Sequence, residues 1–399
     1  MRTREVLNTI FDNINPIRKS RRGFLTVLFL TVFALRGRLT FTNMARFCPL
    51  HEHTFRRNFA RHFDWVAFNQ AVIDLAEVSQ QPHIGVFDCS FIAKSGKHTY
   101  GLDRFWSSSH DRPKRGLEIS LLGLIATETG ESFALDVVQT PADVSTDDKA
   151  AYSRIDFYME QVLDLLEALK GVEYMVGDGN YARYKVFDTL TGADKHVITR
   201  LRCDANLRYL HDGSRRPGQR GRTPRYAGKV DWKHLDLSRF EYVGTLEDHR
   251  HVALYTQVLN SPYYKRDFRV VVLVNRRTSK YVVLASTDVD QAPEELVAYY
   301  RLRFQVEFLF RDAKQFTGLE HCQARDEAKL DFHFNMSLAA VNLARLVSAE
   351  SGLSLNSYVR GQYNRFVVDQ VLVQLGLQAE YDVNDPLLRP IIAIGRMAA

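Results

Sequence analysis

Residues 300–314 read YRLRFQVEFLFRDAK, and four polar side chains recur in them at helical spacing. These are Tyr300, Arg303, Glu307 and Lys314. On an α-helix, which turns roughly 100° per residue, they fall within a stripe about 60° wide and about 21 Å long. The phenylalanines between them indicate that the helix packs against the protein. We therefore expect one helix over residues 293–316 that presents a phenol, a guanidinium, a carboxylate and an ammonium on one face.

A solvated surface helix is the alternative for this stretch. Arg303 and Glu307 are four residues apart, and an ion pair at that spacing stabilises a helix by only a few tenths of a kcal/mol. Whether the stripe is functional therefore depends on what the rest of the chain brings to it.

Two further carboxylates stand at positions where structure alone rarely needs them. Asp88 lies inside the apolar run IGVFDCSFI, which is typical of a buried strand, and a buried carboxylate is costly unless it meets a cation or a metal. Asp178 ends a second short strand, EYMVGDGN, beside Gly179, and α/β sheets place their sites at such strand ends. A salt bridge at Asp88 and a turn-forming role for Asp178 are the structural alternatives.

Three carboxylates from two strands and a helix are the ligands that two hard divalent cations need. Mg²⁺ prefers oxygen ligands and a few carboxylates, and two such ions can hold both reacting oxygens of a phosphoryl displacement. We predict that Asp88, Asp178 and Glu307 are catalytic and bind two Mg²⁺ ions, for which Mn²⁺ would substitute. Arg303 and Lys314, on the same helical face, would hold a phosphate backbone beside them.

The remaining pattern predicts a mixed α/β sheet flanked by helices and followed by further strands. Three apolar runs from residue 83 to 140 read as a meander, with a turn at 129–131. Helices over 145–170 and 181–192 alternate with two more strands, the second being HVITRL. Residues 202–228 are rich in Gly, Pro and Arg and read as a loop, and 229–287 read as five strands starting with VDWKHL. A long helix follows over 324–350, then two weaker ones.

Charge and cysteine usage favour a polyanion partner and a reducing compartment. The net charge is +6, and residues 1–80 alone carry 12 Lys and Arg against 6 acidic residues; a second basic patch covers 200–229. Solvated surfaces are the alternative. The four cysteines form no CxxC pair, which argues against a zinc ribbon or a disulfide scaffold. The longest apolar run, 24–35, is shorter than the roughly 20 residues that a membrane span needs, so we expect a buried helix and no membrane.

Residues 39–65 have the outline of a helix-turn-helix. Thr42 can cap a short helix that ends at Phe47, and a second helix is expected from about His53 to Phe63. The second helix turns three arginines outward, with phenylalanines inward at four-residue spacing. The arginines, which we predict to contact DNA, are Arg56, Arg57 and Arg61. An ordinary helical hairpin with solvated arginines is the alternative.

The spacing Y-x2-R-x3-E-x6-K resembles the YREK signature of DDE-type transposases of the large bacterial insertion-sequence family numbered four. FDCSF and VGDGNYA resemble the strands that carry the first and second Asp of that family, and GLDRFW and KRGLEIS resemble its early sheet. The likeness extends over residues 83–346. It departs at Cys89 and Ser90, where the family often has other small residues.

The resemblance implies an RNase H-like catalytic domain interrupted by a β-rich insertion, with Tyr300, Arg303 and Lys314 contacting DNA near the cleaved end. The expected organisation follows the chain in five parts. They are a helical N-terminal DNA-binding domain (1–80), the first part of the catalytic domain (81–200), the insertion (201–290), the second catalytic part with the YREK helix (291–350) and a helical C-terminal region (351–399).

The expected activity is metal-dependent DNA cleavage and strand transfer, that is, cut-and-paste transposition. The partners would be double-stranded DNA, as terminal inverted repeats and as target, and a second copy of the chain in a synaptic complex. The resemblance places such a protein in the bacterial cytoplasm at the nucleoid. Two rivals remain open: a nuclease or resolvase that cuts without joining, and a DNA-binding protein without activity. Trp232 is a candidate for stacking on a base, with a core position as the alternative.

Overall fold

The computed structural model describes residues 3–14, 16–214, 221–377 and 385–396. Within them, twelve strands form one sheet and α-helices cover both of its faces. The strands are β1 His83–Ala93, β2 Asp103–Ser107, β3 Arg112–Ala126, β4 Ser132–Gln139, β5 Tyr174–Val176, β6 His196–Leu201, β7 Arg208–Leu210, β8 Tyr226–Lys229, β9 Glu241–Thr245, β10 Val252–Ser261, β11 Arg266–Asn275 and β12 Tyr281–Ser286. The helices are α1 Thr3–Asn13, α2 Lys19–Ala34, α3 Phe41–Met44, α4 Glu52–Phe59, α5 Trp65–Leu75, α6 Arg154–Asp164, α7 Tyr184–Gly192, α8 Pro293–Leu302, α9 Gln305–Phe316, α10 Glu327–Glu350, α11 Leu355–Gln374 and α12 Arg389–Ile392.

The sheet is mixed, as predicted. Its order is β2-β3-β1-β5-β6-β12-β11-β10-β7-β8, with β4 paired to β3 and β9 to β10. The pairs β1–β5 and β5–β6 are parallel and the others antiparallel. β3 and β4 meet at the predicted turn, and the apolar residues of β3 are buried on both faces because helices cover each side.

The strands after residue 201 continue this sheet. β12 pairs with β6, so β7 to β12 extend the same sheet that holds β1 and β5. Three predictions here are wrong: VDWKHL forms no strand, the helix expected over 145–170 is confined to Arg154–Asp164, and the segment 202–228, expected as a loop, contains β7 and most of β8. Trp232 is 7% exposed and donates from Nε1 to the Ala205 carbonyl over 2.6 Å, so it has the core position rather than a stacking role. Part of the predicted 202–228 loop, residues 215–220, lies outside the described residues.

The single helix expected over 293–316 is two helices, α8 and α9, separated by Arg303 and Phe304. Both residues keep right-handed helical backbone angles. The backbone hydrogen bonds around them change spacing instead. The amides of Phe304, Val306 and Glu307 each donate to the carbonyl three residues before, not four. Such a tight turn moves the two helices out of a common register.

The N-terminal helices share a core with the sheet. α2 packs on α11, and α5 packs on both α10 and β4. Asn69 of α5 donates to the Leu135 carbonyl over 3.0 Å and accepts from Asn342 of α10 over 3.0 Å. The apolar run 24–35 is buried in α2, as predicted, and within the described ranges no helix is both long and apolar enough to cross a bilayer.

The two short helices of the expected helix-turn-helix are present with shifted ends. Thr40, not Thr42, caps α3 by accepting from the Asn43 amide, because the Thr42 hydroxyl donates to Glu52 instead. α4 ends at Phe59, four residues earlier than expected.

Candidate active site

Asp88 and Asp178 lie where β1 outruns its parallel neighbour. β5 pairs only with Gly85 and Val86, so residues 87–93 of β1 continue past its end and one side of β1 borders a cleft. Asp178 follows β5 after Gly177, where an added Cβ would lie 2.9 Å from the Phe87 ring and force a shift. Both aspartates line that cleft, and they are close enough for the charge of Asp178 to act on Asp88.

Glu307, in the first turn of α9, lines the same cleft, which has a volume of about 1330 Å³. Arg303 and Lys314 line it as well. The structure thus brings together the three predicted carboxylates and two of the three residues that the resemblance expects to contact DNA. Tyr300, on α8, is not among the residues that line the cleft, but its ring centre is 5.9 Å from the Arg303 guanidinium carbon.

The surroundings of Asp88 make its negative charge unfavourable. Its side chain is 20% exposed and accepts from the Cys89 amide over 2.8 Å. Burial, and then repulsion from Asp178, raise its pKa from 3.8 to about 7, although Arg303 acts in the opposite direction. A carboxylate in this state gains more than an ordinary one from a nearby cation.

Asp178 is oriented by its own turn. One carboxylate oxygen accepts from the Asn180 amide over 2.8 Å and the other from the Asn180 side chain over 3.2 Å. The Asp178 carbonyl accepts from the Thr199 hydroxyl of β6 over 2.7 Å. The turn-forming role considered for Asp178 is therefore real, and the residue also lines the cleft.

Arg303 lies between two of the carboxylates. Its Nη1 is 3.4 Å from Asp88 Oδ2 and its Nη2 is 3.3 Å from Glu307 Oε1. The side chain is 15% exposed, and its Nε has no hydrogen-bond partner among the described residues. Burial acts to lower the pKa of Arg303, but Asp88 and Tyr300 outweigh it and raise that pKa. The surface ion pair considered above exists, but in a packed cleft and shared with Asp88.

Lys314 has replaceable partners. Its Nζ is 3.2 Å from Glu320 Oε1 and 3.4 Å from the Phe91 carbonyl, and a third of the side chain is exposed. Both contacts are long enough for a phosphate oxygen to compete with them.

Sequence reasoning missed a fourth acid in the cleft wall, Glu118 of β3. It is 7% exposed, burial raises its pKa, and it accepts from the Tyr158 hydroxyl over 2.6 Å and the Thr140 hydroxyl over 3.0 Å. The signal that drew attention to Asp88, an acid inside an apolar strand, is present here too, in KRGLEIS.

The donor set suits hard divalent cations. Three carboxylates line one cleft, and two of them repel each other strongly enough to shift a pKa. In the described part of the chain, no three acidic, His or Cys side chains stand close enough together to hold a metal ion as they are. The Arg303 guanidinium contacts both Asp88 and Glu307, so it would compete with a metal ion for these two carboxylates.

The N-terminal arginines lie away from the cleft. Arg56 pairs with Glu52 at 3.7 Å and stands over the Phe41 ring. It lines a separate pocket of about 290 Å³ beside Arg325 and Lys329. Arg57 and Arg61 are exposed and none of the three is among the described residues that line the cleft.

A mixed sheet with one aspartate on a strand, a second just after the parallel neighbouring strand and a glutamate on an adjoining helix suits a phosphoryl-transfer enzyme that works on nucleic acid. A family model described as transposase DDE domain matches residues 84–343, more than half of the chain. The chain belongs to that family and is a DDE transposase; members act on DNA and generally use divalent metal ions. No curated protein matches it.

Proposed function

We propose that the chain binds the terminal inverted repeats of its own element, cuts the DNA there and joins the freed ends to target DNA. The observation that carries this proposal is that Asp88, Asp178 and Glu307 line one cleft. The positively charged side chains of Arg303 and Lys314 line it too. The YREK spacing supports membership of insertion-sequence family four, with an RNase H-like catalytic core and residues 201–290 as its insertion. Cut-and-paste transposition then requires two copies of the chain, one at each end.

Asp88, Asp178 and Glu307 would hold two Mg²⁺ ions, or Mn²⁺ in their place. The ions would supply Lewis-acid stabilisation of the attacking and leaving oxygens of the phosphodiester. Asp88 has a pKa of about 7 and is partly protonated at neutral pH, so it would have to lose that proton to serve as a metal ligand. Asp178 is already oriented by Asn180 and needs little rearrangement.

Arg303 and Lys314 would exchange carboxylate partners for DNA phosphates. If Arg303 left Asp88 and Glu307, its planar fork could hold a phosphate with two parallel hydrogen bonds. Lys314 would leave Glu320 for a second phosphate. Tyr300, whose pKa is raised by burial, stays protonated and can donate to the same strand.

The N-terminal helices would recognise the repeat. Arg57 and Arg61 are exposed on or just after α4, and the segment 1–80 carries the chain's positive excess. Because α2 and α5 share a core with α10 and α11, we expect repeat binding and catalysis to reside in one rigid unit.

The test is a cleavage and strand-transfer assay of the full chain on DNA that carries the terminal repeats of its element. Asp88→Asn, Asp178→Asn and Glu307→Gln should each lose cleavage but keep end binding. Glu167→Gln, which neutralises a carboxylate that is 94% exposed, is the matched control and should cleave normally. Normal nicking by any of the three variants would remove that residue from the site, and cleavage without joining would favour a nuclease.

A further inference from the structure

We propose that the β2–β3 hairpin is a second DNA-contacting element, which binds single-stranded DNA through Trp106 and two arginines. The proposal rests on the proposed function, since it assumes DNA in the cleft. The hairpin borders that cleft, where Trp106, Lys114 and Arg115 belong to the lining. These residues fall within GLDRFW and KRGLEIS, which resemble the family's early sheet, but they lie outside the YREK signature and have no role assigned above.

Trp106 is exposed where burial would be expected. Its side chain is 53% accessible, whereas Trp65 and Trp232, the other two tryptophans of the chain, are 4% and 7% exposed. Alternation along β2 explains the geometry, because Phe105 faces inward at 0% exposure and Trp106 must then face outward. An exposed indole beside an active-site cleft offers a flat face on which a base can stack.

The two arginines beside Trp106 lie where their positive charges repel each other. In the antiparallel register Arg104 stands directly opposite Arg115, on the same face as Trp106. Like charges at directly opposed positions destabilise a sheet. Among the described residues neither guanidinium has a carboxylate partner, and both side chains are exposed. An anion between them would remove the repulsion, and a DNA phosphate is the anion that this cleft brings near.

The other face of the hairpin is firmly anchored. Arg154 of α6 forms an ion pair with Asp103 at 3.3 Å, and its guanidinium stacks 4.3 Å from the centre of the Phe105 ring. The outward face is therefore held in place before DNA arrives, which reduces the entropy lost on binding.

Single-stranded DNA fits this face better than duplex does. Stacking on an indole requires an unpaired or terminal base, whereas arginines grip the backbone of either form. A protruding aromatic flanked by cations therefore selects for an unpaired strand that leaves the cleft.

Tryptophan fluorescence tests the proposal because Trp106 is the exposed one of three. The full chain would be titrated, in Ca²⁺ or EDTA to prevent cleavage, with a blunt duplex and with the same duplex carrying a single-stranded dT tail. We expect the tailed DNA to quench the wild-type fluorescence and to leave that of Trp106→Phe nearly unchanged. Trp106→Ala should bind tailed DNA about tenfold more weakly, with a much smaller loss on blunt duplex.

The arginines and a matched control complete the design. Arg104→Ala and Arg115→Ala should each lower the slope of log affinity against log salt on tailed DNA by about 0.7 to 0.9. Tyr263→Ala removes an aromatic that is 61% exposed and lies outside the cleft lining, and it should change neither fluorescence nor affinity. If the wild type binds and cleaves DNA while Trp106→Ala binds the tail normally, the hairpin proposal is wrong and the proposed function stands. If the wild type binds no DNA at all, both are wrong.

Discussion

Asp88, which is partly buried, and Glu118, which is buried, are acids on neighbouring strands of the same cleft, and their surroundings differ in kind. Glu118 accepts from two neutral hydroxyls, those of Tyr158 and Thr140. Asp88 has one backbone donor and shares the Arg303 guanidinium with Glu307 while the charge of Asp178 acts on it. Burial raises the pKa of both. Glu118 is thus satisfied by fixed donors, as a structural acid is, whereas Asp88 depends on a partner that can be replaced.

The largest contrast should appear in catalysis. Asp88→Asn is expected to reduce DNA cleavage below detection, because it removes one of three carboxylates for the cations. Glu118→Gln keeps the shape of the wall and a carbonyl that accepts from Tyr158 and Thr140, so it should cleave within about tenfold of wild type. Single-turnover cleavage in Mg²⁺ measures both. A complete loss in Glu118→Gln would make Glu118 part of the reaction and erase the distinction.

Variants of Arg303 and Lys314 should distinguish two effects of a positive side chain in the cleft: competition with metal ions and binding of DNA phosphate. Arg303→Ala frees Asp88 and Glu307, so the chain without DNA should bind Mn²⁺ more tightly, while the slope of log DNA affinity against log salt falls by about 0.9. Lys314→Ala should lower the salt slope equally and leave Mn²⁺ affinity unchanged, because Lys314 pairs with Glu320 instead. Mn²⁺ titration followed by electron paramagnetic resonance, with DNA binding at several salt concentrations, measures both. An unchanged salt slope in Arg303→Ala would show that Arg303 forms only ion pairs within the chain and does not bind DNA phosphate.

Stability should change in opposite directions at the two acids. Glu118→Ala leaves the Tyr158 and Thr140 hydroxyls unpaired and should cost about 1–3 kcal/mol of unfolding free energy. The charge on Asp88 destabilises the fold, since its pKa is raised from 3.8 to about 7 on folding. The wild type should therefore lose stability relative to Asp88→Asn as pH rises towards 7, with no further change above it. Thermal unfolding of both chains from pH 5 to 8 measures the difference; a constant difference would show that Asp88 is not strained.

The smallest effects are expected at the N-terminal arginines, which lie away from both acids. Arg57→Ala and Arg61→Ala should weaken binding to repeat DNA severalfold, and leave the cleavage rate of bound DNA unchanged. Arg56→Ala should matter less because Arg56 already pairs with Glu52. Competition between repeat and scrambled DNA is the appropriate measurement, in the full chain. If all three variants bound repeat DNA as tightly as the wild type, another part of the chain would recognise the repeat.

Local patterns predicted much of the fold. The strands that carry Asp88 and Asp178, the turn at 129–131 and the long helix α10 follow from apolar runs and turn residues. The break at Arg303 and Phe304 could not be predicted in this way, because no Gly or Pro marks it and both residues keep helical angles. The pairing of β12 with β6, on which the continuity of the sheet depends, joins residues about 85 positions apart and leaves no local signal.

The candidate site, like the fold, could be predicted from local sequence only in part. Residue type and spacing predicted Asp88, Asp178, Glu307 and the nearby cations, and the structure places them in one cleft. The contact of Arg303 with both Asp88 and Glu307 depends on how α9 lies over β1, which only tertiary packing determines. The shared core of the N-terminal helices likewise depends on contacts such as Asn69 with Asn342.

The central claim is that Asp88, Asp178 and Glu307 together hold the divalent cations of a DNA-cleaving site. Its most direct measurement is the number of Mn²⁺ ions bound by the full chain in complex with an end-repeat DNA, counted by electron paramagnetic resonance. The wild type and Glu167→Gln should bind two ions in the site, and Asp88→Asn, Asp178→Asn and Glu307→Gln should each bind fewer, with DNA still bound. Two site-bound ions in all three variants would contradict the claim.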